Sequence, residues 1–157
     1  MKALQLLTQT NDSAAPLLAR LTLGLVMFPH GAQKALGWFG GYGYEGTMGY
    51  FTGTMHIPAL FAFLAIAAEF AGSIALVAGL FSRVAAAGIA AVMAVAVLMG
   101  HLANGFFMNW NGNQKGEGYE YHLLVLGLAL IVMVYGAGKA SLDTLIARRA
   151  GARSSEQ

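Results

Sequence analysis

The chain has 157 residues, of which 57% are hydrophobic and 10% are charged, and its formal net charge is +2. Because a soluble domain carries about a quarter charged residues, this composition favours a lipid surrounding, and the small, dispersed positive charge argues against a nucleic-acid partner. The sequence contains no cysteine, which excludes disulfides, thiolate metal sites and a cysteine nucleophile.

Four apolar stretches are long enough to cross a bilayer as helices, since about 20 helical residues span its hydrocarbon core. The first, at 16–36, follows the capping residues Asn11, Asp12 and Ser13 and begins at a proline that suits a first helical turn. The others are predicted at 58–80, 84–103 and 119–138. The alternative, buried helices of a soluble bundle, requires polar faces that the second and third stretches lack.

The spacing of these stretches predicts how the chain is arranged. Only a short turn separates the second and third spans, so they must form an antiparallel hairpin. We therefore predict an all-α fold, a membrane-spanning four-helix bundle over 16–138, preceded by an N-terminal segment at 1–15 and followed by a basic tail at 139–157. Residues 140–151 of that tail could form a short helix at the membrane interface.

Basic residues are distributed unequally between the two ends of the predicted spans. An even number of spans puts both termini on one side, and most basic residues lie there. The positive-inside rule then places both termini in the cytoplasm of a bacterial cell. The chain is thus predicted to be a multi-pass protein of the cytoplasmic (inner) membrane, with its four histidines toward the outer side: His30, His56, His101 and His122.

Two longer connecting segments, 37–57 and 105–118, combine glycine with aromatic residues. Aromatic side chains at the ends of spans are typical of an interfacial belt that anchors a protein in the membrane. Loops of this length are also often binding elements, so the segments could instead form a lid over a site. On the second interpretation Trp38 is a candidate ligand-binding residue.

Ionisable residues interrupt the apolar spans, where they are costly and are therefore candidates for function. Glu69 lies about 16 Å from either end of its span by helical rise, and an unpaired carboxylate there would take up a proton. His30 and Lys34 are the cations nearest in depth. We predict that Glu69 and His30 are proton-exchanging, catalytic residues and that Lys34 binds a ligand. The alternatives are a glutamic acid that joins helices, a histidine bonded to backbone and a lysine that extends outward.

One face of the first span carries only small or polar residues and methionine: Arg20, Gly24, Met27, His30, Gly31 and Lys34. That face is predicted to look into the bundle. Arg20 lies near the cytoplasmic end of the span, so its side chain is expected to extend to the lipid head groups.

The ends of the third and fourth spans add candidates for ligand binding. His101 and Asn104 are three residues apart and share a helix face. Glu120 and His122 are two residues apart and point about 160° away from each other on a helix. Only one of these two side chains can therefore face the interior.

These side chains suit more than one kind of ligand. His30, His101 and His122 could supply nitrogen ligands to a metal ion, with Glu120 as an oxygen alternative. A quinone head group suits the same pocket, because its carbonyls accept hydrogen bonds from histidine, lysine or tryptophan. The cofactor is left open, with a quinone favoured over a metal ion and over a b-type haem held by two histidines.

Six short segments carry a resemblance to a known family: 20–24 (RLTLG), 29–34 (PHGAQK), 69–72 (EFAG), 76–83 (LVAGLFSR), 101–107 (HLANGFF) and 117–122 (EGYEYH). In these segments the chain resembles the DoxX family of small four-helix membrane proteins, from about residue 17 to residue 138. The family name comes from a subunit linked to thiosulfate:quinone oxidoreductase, and other members look like partners of redox-stress or detoxification proteins. The resemblance therefore implies the four-helix fold and a redox association without fixing a reaction.

Two functions follow as hypotheses. The first is a membrane redox subunit that binds a quinone in an outer-side polar pocket, as part of a quinone-linked oxidoreductase. The second is a non-enzymatic membrane module that binds a metal or small polar ligand, or anchors a partner protein. Transport is weaker, because four spans form no through-path unless several copies assemble. The expected partners are the lipid bilayer, a redox protein and further copies of the chain.

Overall fold

The computed structural model describes residues 8–154 of the chain, and its side chains as far as residue 149. Its α-helices are α1 (Ala14–Leu36), α2 (Gly43–Gly49), α3 (Ala59–Ala78), α4 (Ser82–Ala96), α5 (Glu120–Tyr135) and α6 (Leu142–Ser154). No strand occurs between residues 8 and 154, so the prediction of an all-α fold is confirmed.

The long helices begin and end close to the predicted bounds. α1 starts after Ser13, whose hydroxyl accepts the Ala15 N–H at 3.3 Å, and it ends where Gly37 adopts a φ of 74°. α4 continues through a π-helical turn at Val97–His101 and a 3-10 turn at Leu102–Asn104. With that extension, α1, α3, α4 and α5 coincide with the four predicted stretches to within three residues at each end.

α1, α3, α4 and α5 contribute to one apolar core, whose buried residues are Ala19, Leu23, Met27, Leu76, Ala86, Ile89, Met93, Val125, Ala129 and Val132. Large apolar side chains elsewhere on these helices are exposed, with Leu25 62%, Leu98 72% and Leu124 70% accessible. Helices that are apolar on all sides suit a lipid surrounding. By length and composition, Ala59–Ala78 and Ser82–Asn104 could cross a membrane, whereas α5 is apolar but shorter.

α1 and α3 approach closely because two glycines of α1 face α3. A Cβ on Gly31 would lie 2.5 Å from the Cα of Phe70, and a Cβ on Gly24 would lie 2.9 Å from the carbonyl oxygen of Ser73. Gly24, Met27 and Gly31 are all buried. The prediction that this face of α1 looks toward the core is therefore confirmed.

Gly31→Ala is expected to lower the free energy of unfolding by about 1–3 kcal/mol, because overpacking forces the neighbouring backbone to move. The matched change is Gly127→Ala on α5, where an added Cβ meets nothing within 4 Å and alanine favours the helix. Thermal unfolding in detergent measures both effects. Equal unfolding midpoints for the two variants would contradict the close packing of α1 on α3.

Arg20 is buried, with 1% of its surface exposed, so the expectation that it extends to lipid head groups is wrong. Its five N–H groups donate to carbonyl oxygens at 2.7 to 3.2 Å, namely those of Leu76, Val77, Ala137, Lys139 and Ala140. The last carbonyls of a helix have no partner within it, and the guanidinium offers five donors in a fixed fork. Arg20 thus joins the end of α3 to the segment that follows α5.

Asp143 accepts hydrogen bonds from the start of α4. Its Oδ1 and Oδ2 atoms accept the backbone N–H groups of Phe81 at 2.7 Å and Ser82 at 2.9 Å, which satisfies donors at a helix N-terminus. The Asp143 backbone N–H donates to the carbonyl oxygen of Gly79 at 2.8 Å. The first residues of the predicted basic tail are therefore packed against the helices, and α6 begins beside them.

Candidate functional site

An ion pair between α1 and α3 lies at the centre of the candidate site. The Lys34 Nζ atom donates to Glu69 Oε2 at 2.6 Å, with 26% of the lysine side chain and 3% of the glutamate side chain exposed. The cation that reaches Glu69 is therefore Lys34, although His30 lies at a similar depth. His30 is one helical turn before Lys34, and its carbonyl oxygen lies 3.5 Å from the same Nζ atom.

Tyr121 belongs to this site, although the sequence analysis did not select it. Its hydroxyl lies 3.5 Å from His30 Nε2 and 3.5 Å from the Met27 sulfur. Tyr121 is adjacent to His122, and successive residues of a helix are about 100° apart, so both can border the interior. Helical periodicity could have indicated Tyr121 as a site residue. An uncharged aromatic residue at the end of a span, however, also fits an interfacial belt.

The His101 and His122 rings contact each other in a tilted arrangement, with ring centroids 4.1 Å apart and ring planes 46° apart. His101 closes the π-helical turn of α4, and such turns are frequent at functional sites. Its Nδ1 atom lies 2.9 Å from the carbonyl oxygen of Glu117. His122 is 6% exposed, and its buried Nδ1 atom has no hydrogen-bond partner among the described residues.

The choice between Glu120 and His122 is thereby resolved in favour of His122 as the inward residue. Glu120 turns toward the 105–118 segment, where its Oε1 atom accepts the Met108 N–H at 2.9 Å and the Trp110 indole N–H at 3.3 Å. Its carboxylate therefore shapes the loop and does not reach the ion pair.

Two other predicted ligand-binding residues also lie outside the site. The Asn104 side-chain amide donates to the carbonyl oxygens of Gly100 at 3.2 Å and Glu117 at 3.1 Å. Trp38 is 53% exposed. Neither residue lines the cavity that adjoins the Lys34–Glu69 ion pair.

A cavity of about 1030 Å³ adjoins the ion pair. Its polar lining, called the polar site below, consists of His30, Lys34, Glu69, His101, Glu117, Tyr121 and His122. The rest of the lining is mainly apolar. It comes from α3, α4 and the turn between them, with additions from Met27, Met108 and the 37–57 segment. Ligand pockets commonly combine an apolar wall with a few polar groups that fix orientation.

The 37–57 segment is folded, and part of it lines the cavity. It contains α2 and a π-helical turn at Tyr50–Thr54, and its residues Tyr50, Phe51, Met55 and Ile57 line the cavity. Other aromatic residues of the segment face outward, and Tyr42 is 87% exposed. One part of the segment therefore covers the cavity, while another part is placed to contact the surroundings.

Metal binding receives no geometric support in the described part of the chain. Between residues 8 and 149, no three His, Asp or Glu side chains are grouped as metal ligands. His30 contacts Tyr121, whereas His101 and His122 contact each other.

The family follows from comparison with known proteins. A family model described as DoxX matches residues 15–102. The chain belongs to the DoxX family. No curated protein and no solved structure gave a match. The DoxX match contains the Lys34–Glu69 pair and His101, whereas Tyr121 and His122 of α5 lie beyond it. Membership of DoxX supports membrane association, in agreement with the two apolar helices α3 and α4.

Proposed function

We propose that this DoxX protein is a redox-associated subunit that binds a quinone head group in the polar site. α1, α3, α4 and α5 would form a four-helix bundle across the bacterial inner membrane, with both termini in the cytoplasm and the polar site toward the outer side. The observation that carries the proposal is the Lys34–Glu69 ion pair in the wall of a largely apolar cavity. Ionisable residues in a membrane-spanning segment are costly and are therefore candidates for function.

The groups at the polar site match the chemistry of a quinone. Within the described residues the Lys34 ammonium has two acceptors, Glu69 Oε2 and the His30 carbonyl oxygen, which leaves a third N–H for a quinone carbonyl. The Tyr121 hydroxyl is a further donor near His30. The Glu69 carboxylate can accept a hydrogen bond from the hydroxyl of the reduced quinol.

Reduction of a quinone to a quinol consumes two electrons and two protons, one proton at each carbonyl oxygen. Lys34 and Glu69 would exchange those protons, since both groups can gain and lose one, and His30 would return protons from the polar side. The electrons would come from a partner redox protein, consistent with a subunit of a quinone-linked oxidoreductase.

Quinone binding to the purified protein tests the proposal. A short-chain benzoquinone is expected to raise the unfolding temperature saturably, because a ligand that binds only the folded state stabilises it. Lys34→Met and Glu69→Gln are expected to weaken binding about tenfold or more, the loss of roughly one charge-assisted hydrogen bond. Lys115→Met and Glu45→Gln alter exposed residues of the same types and should bind normally. A wild-type protein whose stability does not respond to quinone would overturn the proposal.

The proposed orientation can be tested separately, because the cysteine-free chain permits clean single-cysteine variants. Tyr44→Cys is expected to react with a membrane-impermeant maleimide in intact cells. Arg149→Cys should react only after the cells are permeabilised. Both positions are exposed in the structure, so access depends on the membrane alone. The reverse labelling pattern would place the termini outside.

A further inference from the structure

The cavity continues from the polar site into a groove between α3 and α4. The groove is bordered by Ala68, Gly72 and Ala75 on α3 and by Ala85, Gly88 and Ala91 on α4. It reaches Leu80, at the far end of α3, which is about 16 Å from Glu69 by helical rise. The groove is therefore long enough for a chain of several isoprene units.

Small side chains explain how the groove forms. An added Cβ on Gly88 would lie 3.2 Å from the Cβ of Ala68, so the two helices are close at the floor. Ala71 and Ala91 also line the groove and are exposed, which leaves its side open to the surroundings. Small residues alone would indicate only helix packing, so the polar site must identify the ligand.

Two features of the polar site point to a ligand with an uncharged head. The Lys34 charge is already compensated by Glu69 at 2.6 Å, so an anionic phosphate that approached the Lys34 ammonium would also meet the Glu69 carboxylate. The His122 Nδ1 atom is buried without a partner among the described residues, and buried polar atoms are normally hydrogen-bonded. A neutral carbonyl or hydroxyl head could interact with this histidine without adding charge.

We propose that the groove holds the isoprenoid tail of a membrane quinone, whose head lies at the polar site and which enters sideways from the lipid. This inference rests on the proposed function and specifies its substrate as a long-chain quinone. Because lipid is as apolar as the groove, the tail gains affinity from packing rather than from leaving water. The expected gain is therefore modest.

The experiment compares quinones that share one head group and carry no tail, a ten-carbon tail or several isoprene units. Affinities are measured in lipid nanodiscs and expressed against the quinone concentration within the bilayer, so that partitioning does not contribute. We expect the isoprenoid form to bind about tenfold more tightly than the tail-less form. Equal affinities for all three would overturn the groove inference.

Matched alanine variants locate the tail. Ala71→Phe and Ala91→Phe would fill the groove and should reduce the tail advantage to about twofold or less, with tail-less binding unchanged. Ala78→Phe and Ala94→Phe are exposed on the same two helices but do not line the cavity, and they should keep the advantage. A tail advantage that survives in both groove variants would also overturn the inference.

The outcomes separate this inference from the function on which it rests. If no quinone binds at any tail length, the proposed function fails and the groove assignment fails with it. If the tail-less quinone binds but the groove variants bind every form like wild type, only the groove assignment fails. A phospholipid that native mass spectrometry finds bound to wild type and absent from Ala91→Phe would overturn the quinone assignment of the groove.

Discussion

Arg20→Met is expected to lower the free energy of unfolding by about 3–5 kcal/mol, the range found when one partner of a buried charged interaction is removed. Five carbonyl oxygens lose the Arg20 donor at once, although that of Leu76 keeps the Gly79 N–H at 3.1 Å. Each buried acceptor left without a partner carries a desolvation cost of about 1–3 kcal/mol. The expected loss of unfolding free energy is smaller than the sum of these desolvation costs, because the chain after α5 can shift and water can enter.

Lysine is a poor replacement at this position. Arg20→Lys keeps the positive charge but offers three donors from one point, whereas the guanidinium presents five in a planar fork. Its loss of stability should therefore fall between wild type and Arg20→Met. Thermal or denaturant unfolding in a fixed detergent measures the series.

Arg148→Met is the matched control for Arg20, because Arg148 is an exposed arginine of α6. Its stability should lie within about 0.5 kcal/mol of wild type, as is usual for surface substitutions. If Arg20→Met unfolded at the same temperature as Arg148→Met, the five hydrogen bonds would contribute no net stability.

Lys34→Met is expected to lower the free energy of unfolding by about 3 kcal/mol, whereas Glu69→Leu is expected to lower it by about 1 kcal/mol. The Glu69 side chain is 3% exposed and would be left buried without its cation, whereas the Lys34 side chain is 26% exposed and can extend outward. In the double variant Lys34→Met/Glu69→Leu no charge is stranded. Its stability should exceed that of Lys34→Met.

A double-mutant cycle on these variants measures the coupling between the two side chains. Unfolding is followed in detergent, and quinone binding is measured on the same samples. The double variant should recover stability without recovering binding, because the hydrogen-bonding groups are absent. Strictly additive losses of stability would show that the 2.6 Å contact contributes no coupling energy.

Periodicity and depth were sufficient to predict the long helices and part of the site. The apolar stretches locate α1, α3, α4 and α5 to within three residues, because long helices with apolar surfaces leave long apolar runs in the sequence. The similar depths of Lys34 on α1 and Glu69 on α3 correctly indicated that their side chains could meet. The angle between residues two apart correctly limited the interior to one of Glu120 and His122.

Arg20 and α2 illustrate what these patterns could not provide. The partners of Arg20 are backbone carbonyls 56 to 120 residues away. Because every residue carries a carbonyl, no pattern of side chains in the sequence predicts which ones Arg20 contacts. α2 contains Gly43, Gly46 and Gly49, which weaken a helix by about 1 kcal/mol each relative to alanine. Its helical form therefore depends on packing against the rest of the chain, which local propensity does not contain.

Arg20 is synthesised early, whereas most of its acceptors are synthesised late. The carbonyl groups of Ala137, Lys139 and Ala140 follow it by 117, 119 and 120 residues. At about 5–20 residues per second, translation takes roughly 6 to 24 seconds to reach them. Throughout that interval the Arg20 guanidinium can reach at most two of its five acceptors, the carbonyl oxygens of Leu76 and Val77. The segment that follows α5 therefore completes the hydrogen bonding of Arg20, and a nascent chain that stops before residue 137 lacks three of the five acceptors.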